Sequence, residues 1–177
     1  MPDFPILRNV DPFVISTASP QSLGLAWNSM GLSLGPLAWS TSNKAVYVPV
    51  SISSPVTIVK MFVLNGATAS GNIDVGIYDR GGARLVSSGS TAQSGTSVVQ
   101  EFDVTDTLLK AGLYYLACAM DNTTGTLEMW TMSLAIPKSL GIAEQTSAFA
   151  LPSTATFATV SATLRTPFIG ATQRAVI

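Results

Sequence analysis

From residue 45 onward, apolar and polar side chains alternate with the short period of a strand. In "AVYVPVSI", Val46, Val48, Val50 and Ile52 fall on one face, as a half-buried β-strand requires. Pro49 interrupts that run. Its nitrogen has no hydrogen to give a ladder, so this strand is expected at a sheet edge. "VTIVKMFVL" (Val56–Leu64) is apolar on both faces, the pattern of a central strand. In "NIDVGIYD", Ile73, Val75 and Ile77 point one way and Asp74, Gly76 and Tyr78 the other. Gly81-Gly82 follows and supplies the positive φ of a tight hairpin, from which "RLVSSGS" returns. "SVVQEFDV" places Phe102 and Val104 inward, and "TDTLLKAG" reads as a turn. "LYYLACAM" (Leu113–Met120) is expected to be the most buried strand. "DNTTG" is a turn and "TLEMWTMSLA" a further strand. "PKSLGIAEQT" has room for one turn of helix at most, and β-type alternation resumes around Phe157–Leu164.

Short strands at roughly 8–12-residue spacing, with turn residues between them, are the signature of an all-β sandwich or barrel. The pattern predicts an all-β fold, an antiparallel β-sandwich of jelly-roll type over residues 44–177, with an extended N-terminal arm. Hairpin signals fix sequence neighbours but not crossovers, so strand order is left open.

Residues 1–43 follow neither period. Prolines stand at positions 2, 5, 12, 20 and 36, and the charges are Asp3, Arg8 and Asp11. Disordered tails are polar and charged, whereas this segment carries Phe4, Phe13, Trp27 and Trp39. It reads as an apolar docking arm with those four aromatics as assembly anchors. Deleting residues 1–43 is expected to leave a folded sandwich that no longer incorporates into its assembly. The segment lacks the basic start and continuous apolar stretch of a signal peptide.

Composition narrows the function classes. Charged residues make up 11 % of the chain, against about 25 % in ordinary soluble domains. The formal net charge is -1, which gives no electrostatic case for nucleic acid or an anionic membrane. No run approaches the ~20 apolar residues of a spanning helix, and the long irregular N-terminal third fits a transmembrane barrel poorly, so membrane insertion is not expected. Mean hydropathy is +0.40. A neutral surface rich in Ser, Thr, Ala and Gly suits a protein packed against other chains.

"GLSLG", residues 31–35, matches the G-x-S-x-G nucleophile elbow. A serine nucleophile needs a base, almost always histidine, and the chain has no histidine. Lys44 lies in no S-x-x-K spacing, and Pro36 follows the motif directly. Ser33 is therefore read as part of a turn in the arm. Cys118, the single cysteine, sits in an apolar strand pattern as a small buried hydrophobe. No disulfide, transition-metal set or cofactor is expected. Asp74, Asp79, Asp103, Asp106 and Asp121 lie near strand ends or turns. Paired carboxylates can hydrolyse glycosides and clustered oxygens can bind calcium, but no D-x-[DN]-x-[DN]-G loop occurs, and turn aspartates usually accept local N–H groups. Asn122-Thr123-Thr124 is a glycosylation sequon, read here as a turn. Tyr47, Tyr78, Tyr114 and Trp130 are candidates for stacking on sugar rings, set against packing in the core or between subunits.

The block "SGNIDVGIYDRGGARLVSSGSTAQSGTSVVQEFDVTDTLLKAGLYYLACAMDNTTG" resembles β-sandwich modules of tailed-bacteriophage structural proteins, in tail fibres, minor tail proteins and decoration proteins. Strand "VGIYD", hairpin "RGGARL", "FDVTD" and "AGLYYLA" carry the resemblance, which covers residues 70–125. It implies a non-enzymatic virion component made in the bacterial cytoplasm, with no active site to carry over. It also implies a homo-oligomer, with a trimer favoured, that meets other virion proteins of the tail or capsid. Tail-fibre or tail-tip attachment is the first expectation. Capsid decoration and a carbohydrate-binding module for host-surface glycan are the alternatives.

Overall fold

The computed structural model describes residues 15–16, 33–133, 135–160 and 165–173. The early strands are β1 (Ile15–Ser16), β2 (Ser33–Ala38), β3 (Lys44–Ile52) and β4 (Val56–Leu64). The middle of the chain forms β5 (Asn72–Asp79), β6 (Arg84–Ser87), β7 (Thr91–Ala92), β8 (Val99–Leu109), β9 (Gly112–Met120) and β10 (Thr126–Thr131). A single helical turn, α1 (Ala135–Ser139), precedes β11 (Ala143–Gln145), β12 (Ala158–Thr159), β13 (Arg165–Pro167) and β14 (Ile169–Thr172). The fold is an all-β, antiparallel sandwich, as the alternation predicts.

A seven-stranded sheet runs in the order β12-β11-β3-β9-β5-β6, with β7 also paired to β5. Opposite it stand a four-stranded sheet, β1-β14-β4-β8, and a three-stranded sheet, β13-β10-β2. The two smaller sheets meet where Phe168 links β13 to β14. Its N–H donates to the Glu128 carbonyl at 2.8 Å, and its own carbonyl accepts from Leu64 N–H at 3.2 Å.

The layers are joined by one ribbon that folds over. β3 pairs with β9 as far as Ile52 opposite Gly112, and β4 pairs with β8 from Val56 opposite Leu109. Ser53–Pro55 and Lys110-Ala111 turn the same corner side by side. The strand pattern of β8 therefore continues through "TDTLL", and the expected turn shrinks to Lys110-Ala111. The apolar alternation was the better guide there than the turn-forming residue types.

The main core lies between the layers. Val46, Val48, Val50 and Ile52 of β3 meet Ile73, Val75 and Ile77 of β5, Leu116, Cys118 and Met120 of β9, and Phe102 of β8. β4 is central in its sheet, as its two apolar faces predict. A register shift between Ile58 and Lys60 puts both Ile58 and Met61 into the core; a bulge moves the inward set by one residue.

Three expectations are corrected. β3 is flanked on both sides, by β11 and β9, although Pro49 predicts an edge. The proline is accommodated because β11 covers only Ala45–Tyr47, leaving that side of β3 unpaired at Pro49 among the described residues. Ser33 opens a strand rather than a turn, and β2 pairs along its length with β10, Ser33 opposite Thr131 and Ala38 opposite Thr126. Among the described residues β2 is an edge strand, the place where a sheet tolerates Pro36. The boundary at residue 43 also moves, because β2 and Trp39 belong to the sandwich. The Trp39 side chain is buried in the main core, and its indole N–H donates to the Lys44 carbonyl at 3.0 Å. Phe4, Phe13 and Trp27 lie outside the described residues.

Candidate functional site

The outer face of the seven-stranded sheet is built from the odd members of β3 and β9 and the even members of β5. The register sets them in rows: Ala45, Ala119 and Asp74; then Tyr47, Ala117 and Gly76; then Pro49, Tyr115 and Tyr78. Small residues form a trough with tyrosines along its border. The segment 146–157 lies in that trough as a strap. Ala148, Leu151 and Ala155 are buried there with Tyr47 and Tyr78. Gly76 makes room for it: a Cβ at that position would come within 3.0 Å of a Leu151 methyl carbon and 2.8 Å of the Val86 carbonyl.

Sheet side chains satisfy the polar backbone of the strap, as buried peptide groups require. Asp74 accepts the Leu151 N–H at 2.9 Å, and the Arg84 guanidinium donates to the Leu151 carbonyl. The Tyr78 hydroxyl donates to the Pro152 carbonyl at 2.6 Å. The Tyr47 hydroxyl donates to Gln145 Oε1 at 3.0 Å, and the same oxygen accepts Thr156 N–H at 2.8 Å. Ala155 N–H donates to the carbonyl of Gly82, in the β5–β6 turn, at 2.8 Å. Burial raises the Tyr47 hydroxyl to about 12. Tyr78 is raised by burial first and by the neighbouring Tyr47 next.

The strap delivers Phe157 to the aromatic border. Its ring meets Tyr47 edge-on at 5.1 Å and Tyr115 at 4.3 Å with a tilt of 33°. Beside Tyr115 and Phe157 an open groove of about 160 Å³ runs along Gly141–Ala143, with Lys138 and Thr159 on its rim. A larger cleft of about 540 Å³ lies between β6 and Thr105 of β8, over Asp74. Its acid–hydroxyl cluster is turned inward. Ser87 and Ser88 donate to Asp74 Oδ1 at 2.8 and 3.2 Å, and their oxygens accept Gly89 N–H and Val75 N–H. That cluster ties β5, the β6–β7 connection and the strap together.

The predicted stacking residues are dispersed. Tyr47 and Tyr78 are each 0 % exposed, so neither can offer a ring face to a sugar. They are the hydrophobic floor and polar ties of the strap. Tyr114 points to the opposite face from Tyr115, and its hydroxyl donates to the Lys110 carbonyl at 3.0 Å. Trp130 is half-buried and packs against the main core. Sequence reasoning passed over Tyr115, Phe157 and Lys138. One signal was available: in "LYYLACAM", Tyr115 shares a face with Ala117 and Ala119, a small-residue face that invites a covering segment. Nothing local marks Phe157 or Lys138 as its neighbours.

The aspartates do not converge. Among the described residues no three His, Cys, Asp or Glu side chains gather around one point. Asp79 caps the hairpin through Ala83 N–H at 2.9 Å. Asp121 accepts Asn72 N–H at 2.9 Å, and hydrogen bonds from Asn122 first and Asn72 next hold its carboxyl below the usual range. Asn122 Oδ1 accepts Thr124 and Gly125 N–H, so the sequon forms a turn. Cys118 is buried, and desolvation pushes its thiol up. Compared with known proteins, the chain matches no family model, no curated protein and no solved structure.

Proposed function

We propose that this chain is a non-enzymatic structural protein of a tailed-phage particle, a jelly-roll-type tail-fibre or tail-tip module that works as a homotrimer. The observation that carries the reading is the apolar corner of the folded ribbon. Leu108 is 63 % exposed and Leu113 41 %, on either side of the Lys110-Ala111 turn. Exposed leucines on a chain with so few charges are stabilised by covering them with another subunit. The sequence resemblance to phage modules, carried by residues 70–125 over β5 to β9, belongs to the same proposal.

Antibody raised against the purified chain, visualised by gold labelling of particles of the phage that encodes it, tests the location. Label at the tail tip is the expected result. Label over the shell would move the protein to capsid decoration, and particles without label would end the virion reading. Light scattering of the full-length chain tests the assembly: a trimer is expected, and replacing Leu108 and Leu113 with serine should shift it toward monomer.

A further inference from the structure

The groove beside Tyr115 and Phe157 carries polar groups that make no hydrogen bond or ion pair among the described residues. The chain has four tyrosines. The hydroxyls of Tyr47, Tyr78 and Tyr114 each donate to an internal acceptor, whereas that of Tyr115 makes no hydrogen bond among the described residues. Lys138 forms no ion pair among the described residues, and the Thr159 hydroxyl has no partner among them. Tyr115, Phe157, Lys138 and Thr159 thus line one groove with two half-buried aromatic rings, two hydroxyls and an ammonium that are unengaged among the described residues, and no acidic residue lines it.

We propose that this groove binds a single sugar ring carrying a carboxylate, a uronic or sialic acid at the end of a glycan. Size sets the first limit. About 160 Å³ is below the roughly 300–1,000 Å³ of sites for drug-sized ligands, so one ring is accommodated. The aromatic pair offers a face for the apolar C–H side of a pyranose. The hydroxyls of Tyr115 and Thr159 serve the ring hydroxyls, and Lys138 provides the charge-assisted contact for the carboxylate. The platform is preorganised, because Tyr115 sits on the central strand β9 and the strap fixes Phe157; less ordering is then required on binding. The assignment stands on the groove alone and holds wherever the protein resides.

Saturation-transfer NMR on the full-length chain tests it, with free N-acetylneuraminic acid and galacturonic acid as probes and galactose as the neutral control. Transfer to at least one acidic sugar is expected, with a dissociation constant of roughly 1 mM. Lys138→Gln, at an exposed position, should weaken that binding about tenfold, in keeping with the loss of a charged hydrogen bond, and leave the response to galactose unchanged. Tyr115→Phe, which keeps the ring, should weaken it less. Absence of transfer from both acidic sugars would overturn the site. Equal transfer from galactose, or acidic-sugar binding indifferent to Lys138→Gln, would overturn the acidic class. None of these failures bears on the gold-labelling result, so the two readings fall separately.

Discussion

Asp74 and Leu151 stand 77 residues apart in sequence, and the carboxylate of one accepts the backbone N–H of the other at 2.9 Å. Asp74 lies on the middle of β5, on the face turned away from the main core, and is 0 % exposed. Without the strap, that carboxylate would face water. With it, both partners are buried and satisfied.

Replacing Asp74 with alanine leaves the Leu151 N–H and the Ser87 hydroxyl without their acceptor, while the Ser88 hydroxyl keeps the Gly89 carbonyl at 3.1 Å. Hydrogen bonds to charged groups contribute about 1.5–3 kcal/mol each, and buried donors left unmade are destabilising. Asp74→Ala should lower the unfolding free energy by about 3 kcal/mol in urea titration. Hydrogen exchange should show Leu151 N–H losing protection first. A variant as stable as the parent would mean that the strap is held by its apolar contacts alone.

Lys44 and Glu144 form a buried ion pair at 3.1 Å, with side chains 8 % and 9 % exposed. Removing one member deprives the other buried charge of this ion pair, a loss of about 3–5 kcal/mol. Glu144→Ala should therefore be markedly destabilising. The double change Lys44→Met with Glu144→Leu should recover most of that loss, since a packed apolar pair of similar size is often as stable. A double-mutant cycle by chemical denaturation checks both.

Alkaline pH should weaken the strap. The Tyr47 hydroxyl sits at about 12 in the folded chain, against about 10 in an unfolded one. The folded state therefore holds this proton more tightly. Its contribution to stability is complete below about pH 10 and is lost as the pH rises toward about 12. Tyr78 is shifted in the same direction. Urea midpoints should fall over that window, and Tyr47→Phe should make the fall shallower.

Trp39→Ala should destabilise the chain by about 3–5 kcal/mol, the range for emptying a buried aromatic site, and it also removes the indole hydrogen bond to the Lys44 carbonyl. A chain that begins at Lys44 lacks both β2 and Trp39, and should unfold at lower urea than the full-length protein. That reverses the expectation drawn from composition, that residues 1–43 are dispensable for folding. Equal midpoints for the two chains would restore it.

The alternation made β3, β4, β5 and β9 legible, because a buried face leaves its mark on every second residue. The hairpin was legible for a different reason: Gly82 adopts φ 90°, a conformation that favours glycine. Pro49 and Pro36 misled in opposite ways. A missing N–H is a local property, but whether a partner lies on that side depends on where a distant short strand ends. The tyrosines misled because polar–aromatic alternation looks the same whether the outer face meets solvent or a strap.

The sequence by itself determined that the chain is β, which residues of β3 and β5 face the main core, where the hairpin turns, and that Cys118 is buried. Those follow from side-chain period and from backbone freedom, both local. Only the tertiary structure decided what covers the second face. Contacts such as Asp74 with Leu151 and Tyr115 with Phe157 join segments far apart in sequence, and no local pattern encodes the partner. The same packing buries Tyr47 and Tyr78 and leaves Tyr115 at an open groove. Tyrosines that look alike in sequence are set apart by the path of one strap.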